Sequence, residues 1–192
     1  MDVGHRFEHL KRDIYLWRLN MKLSLGIRQD KTQEIDGITY RLAKQSDYKE
    51  ITALHNRLFG TSIVSWLAWL YRFRLKELGS VAQDREGKII AYDLFMFNDS
   101  EKKDDIIHEI YVGVIPSYQG RGISTKLRTF SLSTYEHGTL KGASTIAKHN
   151  DIRALRSAQK SGYAIVKESI KPVGNYLLKI FVHSIDYTSK GS

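Results

Sequence analysis

The chain contains no cysteine. That excludes a disulfide framework, a cysteine-ligated zinc site and a thiol nucleophile, and it fits a reducing compartment. Proline is almost missing too, with two residues beside fourteen glycines in 192, which excludes a collagen-like or low-complexity chain. Long apolar runs are absent. The longest, Ile63 to Tyr71, contains Ser65 and is closed by Arg72, whereas a transmembrane helix needs ~20 mostly apolar residues. The opening Met-Asp-Val-Gly-His-Arg lacks the apolar segment of a signal peptide. No membrane span, no metal site and a cytoplasmic location are therefore expected.

What is present is enough for one folded domain. Apolar residues make up 42% of the chain and charged residues 27%, and at ~150 residues per domain the length predicts a single core. The net charge of +9 is uneven: between Gln119 and Lys171 stand ten Lys/Arg against three acids. Such a surplus fits a phosphate-bearing cofactor, nucleic acid or a membrane surface, or else a solvated basic face. Known nucleic-acid motifs are missing, and the aromatics do not interleave with the basic run, so nucleic acid is not the expected partner.

Periodicity sketches the elements. Phe7, Leu10, Ile14, Trp17 and Met21 form a helical stripe with Lys11, Arg12, Arg18 and Lys22 among them. Residues 1–30 thus read as an amphipathic extension that docks on its own domain or on a partner subunit, and a homodimer is one outcome. Arg28 to Asp36 reads as a polar connector and Ile38 to Leu42 as a strand. Ser46-Asp47 caps a helix running to Gly60, and a second helix covers Ser65 to Leu78. Strands follow at Val81–Gln83, Ile89–Phe97 and Ile106–Ile115, with Asp84–Gly87 as a hairpin turn and Asn98–Asp105 as a loop. After Pro116 come a glycine loop and a helix with Gly138 beyond its end. Then come a strand at Ala143–Ala147, a helix capped by Asn150-Asp151 and ending at Gly162, and strands at Tyr163–Val166 and Tyr176–Val182. The fold class is α/β with a mixed, mostly antiparallel sheet, and 36–186 is the expected domain.

The informative segment is Tyr111-Val-Gly-Val-Ile-Pro-Ser-Tyr-Gln-Gly-Arg-Gly-Ile-Ser-Thr125. A strand enters a loop with close-set glycines and a helix starts at once, which makes an anion site from backbone N–H groups and the helix dipole. A Walker A loop is excluded because Thr125 and Leu127 stand where Gly and Ser/Thr are needed. A dinucleotide fingerprint fails at the same Thr125.

The segment resembles the pyrophosphate loop of the GNAT superfamily of N-acyltransferases, Gln/Arg-x-x-Gly-x-Gly/Ala after a strand ending Val-x-Pro. Here the residues are Val114-Ile-Pro116 and Gln119-Gly-Arg-Gly122-Ile-Ser124, with Ser124 as the departure. A second signature agrees in Ala143–Ala147, Asn150 and Gly162-Tyr163, so the resemblance spans about Ile38 to Tyr163. It implies an acyl-CoA donor, acetyl-CoA or another short acyl-CoA. Backbone groups of Val112, Gly113 and Val114 would hold the pantetheine arm. The N–H groups of Gln119, Gly120, Arg121, Gly122, Ile123, Ser124 and Thr125 would hold the pyrophosphate, and Asn150 would contact the arm. Arg121, Lys126 and Arg156 are the candidates for the 3′-phosphate.

The reaction implied is acyl transfer to a primary amine, with a backbone N–H beside Val114 serving the oxyanion. Glu109 is the candidate base by resemblance, unless it pairs with a basic neighbour. His108 is the adjacent alternative, on the opposite face of a regular strand. Where the family usually places an acidic tyrosine stand Ser157 and Ala158, so Tyr163, Ser157 or water would protonate the leaving thiolate. The aromatic-rich helices resemble a subgroup acting on amino sugars. Trp69, Arg72 and Arg74 would then hold a nucleotide-linked amino sugar, stacking on its ring and forking its phosphate. The alternatives are another small or protein amine, or a CoA-binding sensor without catalysis.

Overall fold

The computed structural model describes residues 3–135, 140–169 and 174–181. Gly138, Lys171, Pro172 and Val182 lie outside the described residues. The chain runs α1 (Val3–Leu23), β1 (Thr32–Ile35), β2 (Ile38–Leu42), α2 (Tyr48–Phe59), α3 (Ser65–Leu78), β3 (Gly79–Gln83), β4 (Ile89–Met96), α4 (Asp99–Lys103) and β5 (Ile106–Val114). It continues with α5 (Ile123–Ser133), β6 (Gly142–Lys148), α6 (Ile152–Lys160), β7 (Ala164–Ser169) and β8 (Asn175–Phe181). The strands form a single sheet in the order β1-β2-β3-β4-β5-β6-β8-β7. Its one parallel pair is β5–β6, and the rest are antiparallel, as expected for the mixed sheet.

Two elements depart from the sequence expectation. The polar connector contains β1, turned back onto β2 by Asp36 and Gly37, whose φ values of 53° and 73° suit the tight hairpin of an Asp-Gly pair. The loop before β5 contains α4, capped by Asn98, whose side chain accepts the N–H groups of Ser100 and Glu101.

The helices sort onto the sheet by where their apolar residues fall. Ile51 and Leu54 of α2 and Leu67, Leu70, Tyr71 and Leu75 of α3 share the larger core cluster with Tyr92 and Leu94 of β4. Ile123, Leu127 and Phe130 of α5 pack with Tyr40, Leu42, Ala82 and Ala91. The α1 stripe splits in two. Trp17 and Met21 pack against the larger cluster, whereas Phe7, Leu10 and Ile14 stay exposed. Docking on the domain is therefore confined to the second half of the helix. There Asn20 donates to Phe97 O and accepts from Phe97 N, at 2.8 and 2.6 Å.

Two irregularities of β5 position the site. Leu94 pairs with Tyr111 but Phe95 pairs with Glu109, so Ile110 is an extra, bulged residue. Its insertion sends Glu109 toward α5 and Tyr111 toward α2. The ladder with β6 ends at Glu109–Thr145, and β5 runs on to Val114 paired on its β4 side alone.

Candidate functional site

Where β5 leaves β6, a cleft of about 630 Å³ opens, bounded by Val112 to Val114, the loop after β5, the start of α5, and α6. That volume lies within the usual ~300–1,000 Å³ range of ligand pockets. Along one wall runs the open strand edge from Val112 to Val114, ~10 Å at ~3.3 Å per residue.

The loop end is built for an anion. Gly120 and Gly122 take φ values of 78° and 75°, and a Cβ at either would meet nothing within 4 Å. The glycines are thus required by the left-handed backbone, and they leave the approach to the main chain clear. Gly122 is the N-cap of α5 and supplies no side-chain cap. The first-turn N–H groups of Ile123, Ser124 and Thr125 are left for a ligand, with the positive end of the helix dipole behind them. All three residues line the cleft. Gln119 is braced, donating to Val114 O at 2.9 Å and accepting from Arg153 at 3.3 Å.

Arg153, Arg156 and Lys160 of α6 bring positive charge to the cleft, beside Asp151. Of the three cations expected at the 3′-phosphate, Arg156 lines the cleft. Arg121 lies 5.0 Å over the Tyr118 ring, and Lys126 is paired with Asp36. Asn150 does not line the cleft; its neighbour Asp151 does, and also caps α6 by accepting from Ala154 N at 2.9 Å.

Ser157 sits between two elements. Its Oγ is 2.8 Å from Ser124 Oγ and accepts from Arg128 Nη1 at 2.7 Å. Arg128 in turn holds Glu109 through both carboxylate oxygens, Nε to Oε2 at 2.8 Å and Nη2 to Oε1 at 2.8 Å, with both side chains almost sealed. Thr145 Oγ1 adds a third donor at 3.0 Å. Burial works against the Arg128 charge, but Glu109 outweighs it and holds the guanidinium firmly protonated. Glu109 is thus an ion-pair partner with both carboxylate oxygens engaged, and it does not line the cleft.

The other two candidate proton-transfer residues also lie elsewhere. His108 faces away, its Nδ1 2.7 Å from Ser144 Oγ, which donates to Glu101 at 2.7 Å. Burial lowers its pKa. Tyr163 is buried with its hydroxyl unpartnered among the described residues, and burial pushes its pKa well up. The acceptor set is displaced as well. Trp69 is exposed, Arg72 lies over the Tyr48 and Trp69 rings, and Arg74 donates to Met21 O at 3.4 Å and Phe73 O at 3.3 Å. None of them borders the cleft.

At the inner end, opposite the loop, stands a cluster absent from the sequence expectations. His55 of α2 is buried, stacked on Phe59 at 4.8 Å and edge-on to Tyr111 at 4.6 Å. Its Nδ1 is 2.8 Å from Tyr92 Oη. Leu58 and Phe59 line the cleft at this end, across from Gly113, where a Cβ would lie 2.7 Å from Leu58 Cδ1 and 2.8 Å from Tyr92 Cε1. Glycine is required here by close approach.

No family model matches the sequence, and no curated protein matches it. Solved structures do match in fold. The ribosomal-protein-S5-alanine acetyltransferase of Vibrio fischeri aligns with a TM-score of 0.63 at 16% identity, over 79% of this chain and 97% of its own. Arabidopsis thaliana NAA60, solved with acetyl-CoA, gives 0.62 at 17% identity over 75% and 99%. Mutant forms of the Vibrio cholerae spermidine/spermine N-acetyltransferase SpeG give 0.61 at 15% identity over 80% and 99%. The fold is that of the GNAT acetyltransferases.

Proposed function

We propose that the protein is a CoA-dependent N-acyltransferase that moves a short acyl group, acetyl in the simplest case, from acyl-CoA to a primary amine. The observation that carries this reading is the continuity of the cleft. An unpaired strand edge of the right chemistry for amide groups runs directly into a glycine loop at a helix N-terminus, with Arg153, Arg156 and Lys160 beside it. CoA presents in sequence an amide-bearing arm, a pyrophosphate and a further phosphate. The three fold neighbours are acetyltransferases by description, and one was solved with acetyl-CoA.

The residues fit the group. Backbone groups of Val112 and Val114 would hold the pantetheine amides, and N–H groups of Gly120 to Thr125 the pyrophosphate. The bound donor supplies a thioester whose carbonyl carbon is the electrophile. On this chain, a β5 backbone N–H next to the bulge stabilises the oxyanion, and Leu58 and Phe59 give that end of the cleft an apolar wall.

The acceptor is proposed as a small primary amine. A nucleotide-linked amino sugar is one member of that class. The arginines that suggested it, Arg72 and Arg74, stand outside the cleft, so their placement does not single that sugar out. Thiol release from acetyl-CoA with a panel of polyamines, peptide N-termini and nucleotide-linked amino sugars tests the reading. Amine-dependent release supports transfer; tight CoA binding without release by any amine would make the chain a sensor instead.

A further inference from the structure

We propose that His55, through Nε2, accepts the proton lost by the attacking amine. This deepens the acyltransferase reading and rests on it.

Four observations converge. With a pyrophosphate at the loop, an arm lying along the open β5 edge from Val114 through Gly113 to Val112 brings its far end to Tyr111, and His55 packs edge-on to Tyr111. Phe59, which stacks on the imidazole, is itself a wall of the cleft. The ring is fixed on one side, because Nδ1 is tied to Tyr92 Oη. Nε2 has no hydrogen-bond partner among the described residues, so its lone pair is unengaged, in a ring that is 1% exposed and meets the cleft through Phe59 rather than lining it.

The surroundings keep the imidazole neutral, so its lone pair is available to accept a proton. Burial lowers its pKa below the ordinary 6.5. The titratable groups packed against it are Tyr92 from β4 and Tyr111 from β5, and burial raises the pKa of both, so each stays an uncharged phenol at neutral pH. Among the described residues no carboxylate, lysine or arginine forms an ion pair with His55. The required tautomer carries its proton on Nδ1, donating to Tyr92 Oη, which leaves the Nε2 lone pair free.

The step balances within the donor, the amine and this side chain. The amine nitrogen bonds to the thioester carbonyl carbon and its proton passes to Nε2. The C–S bond then breaks with its electron pair on sulfur, and the Nε2 proton passes to the thiolate. One imidazole thereby serves as base and acid, which removes the need for Glu109 or Tyr163 in either role.

The test is His55→Gln, whose amide still reaches Tyr92 but cannot carry a proton. We expect kcat to fall about a hundredfold with CoA affinity unchanged by calorimetry. The wild-type rate should rise with pH along a limb centred below 6.5, and the variant should lose that limb. A second measurement needs neither the variant's folding nor a known acceptor. In wild-type protein the His55 Cε1–H resonance should move on addition of acetyl-CoA. A folded variant keeping half of wild-type kcat, a pH limb surviving in it, or an unmoved resonance with acetyl-CoA bound would each overturn the assignment while sparing the donor site. Failure of wild-type protein to bind CoA at all would instead overturn the acyltransferase reading beneath it.

Discussion

Arg128 of α5 grips Glu109 of β5, with Nε and Nη2 each 2.8 Å from a carboxylate oxygen. The pair ties α5 to β5 at the residue where β5 leaves β6, and the same guanidinium reaches Ser157 on α6. Its position makes it a strut between the cofactor loop's helix and the central strand.

Removing one member should therefore act on the fold. Glu109→Gln strands a buried guanidinium and should cost about 3–5 kcal/mol of stability, seen as a lower Tm. In the protein that remains folded, the pH dependence of the rate should be unchanged. Replacing both residues, Glu109→Gln with Arg128→Met, should recover part of the loss. A stable Glu109→Gln protein that has lost its pH dependence would return the proton-transfer role to Glu109.

Asp93 gives a pH-dependent prediction. It is fully buried on β4 and neither carboxyl oxygen has a hydrogen-bond partner among the described residues. Burial, then Glu109, push its pKa well above 3.8. A carboxyl raised in the folded state contributes its full stability below its unfolded pKa and loses it as pH rises toward the folded value. Asp93→Asn removes that titration, so its Tm relative to wild type should be higher at pH 7 than at pH 4. Equal differences at the two pH values would show that Asp93 is ionised in the folded protein without cost.

Asn20 should matter more than its place on a surface helix suggests. Its amide satisfies both backbone groups of Phe97, where β4 ends. Asn20→Ala leaves a buried N–H and C=O unpaired, at about 1–3 kcal/mol each. Thermal or urea unfolding should show a loss of that order, and a neutral result would mean that water replaces the amide.

For the donor site, Arg156→Ala and Lys160→Ala should weaken CoA about three- to tenfold, with the effect shrinking in high salt. Arg121→Ala and Lys126→Ala should change affinity less, since these cations are engaged with Tyr118 and Asp36. The reverse order would move the phosphate to the other side of the loop.

The loop was legible in the sequence because glycine spacing after a strand is a local signal, and Gly120 and Gly122 take the positive φ it implies. The α3 boundaries at Ser65 and Leu78 were equally local. β1 and α4 had signals in Asp36-Gly37 and in Asn98 three residues before Glu101, outweighed by the polarity around them. His55 had none. It stands inside an ordinary apolar spacing of Ile51, Leu54 and Leu58, and its partner Tyr92 is 37 residues away. The Ile110 bulge was invisible as well, since an isoleucine in a strand carries no mark of being the extra residue. Because of it, Glu109 turns to Arg128 while Tyr111 turns to His55 and Phe59 of α2, an outcome set by pairing with β4.

Calorimetric titration of acetyl-CoA into wild-type protein and into Gly122→Asp tests the central claim most directly. Asp at this φ of 75° places a carboxylate before the first-turn N–H groups of α5, in space that is otherwise open. Stoichiometric binding to wild type and its collapse in a variant with native circular dichroism is the predicted result. Absence of binding to wild type, or equal affinity in both proteins, would contradict it.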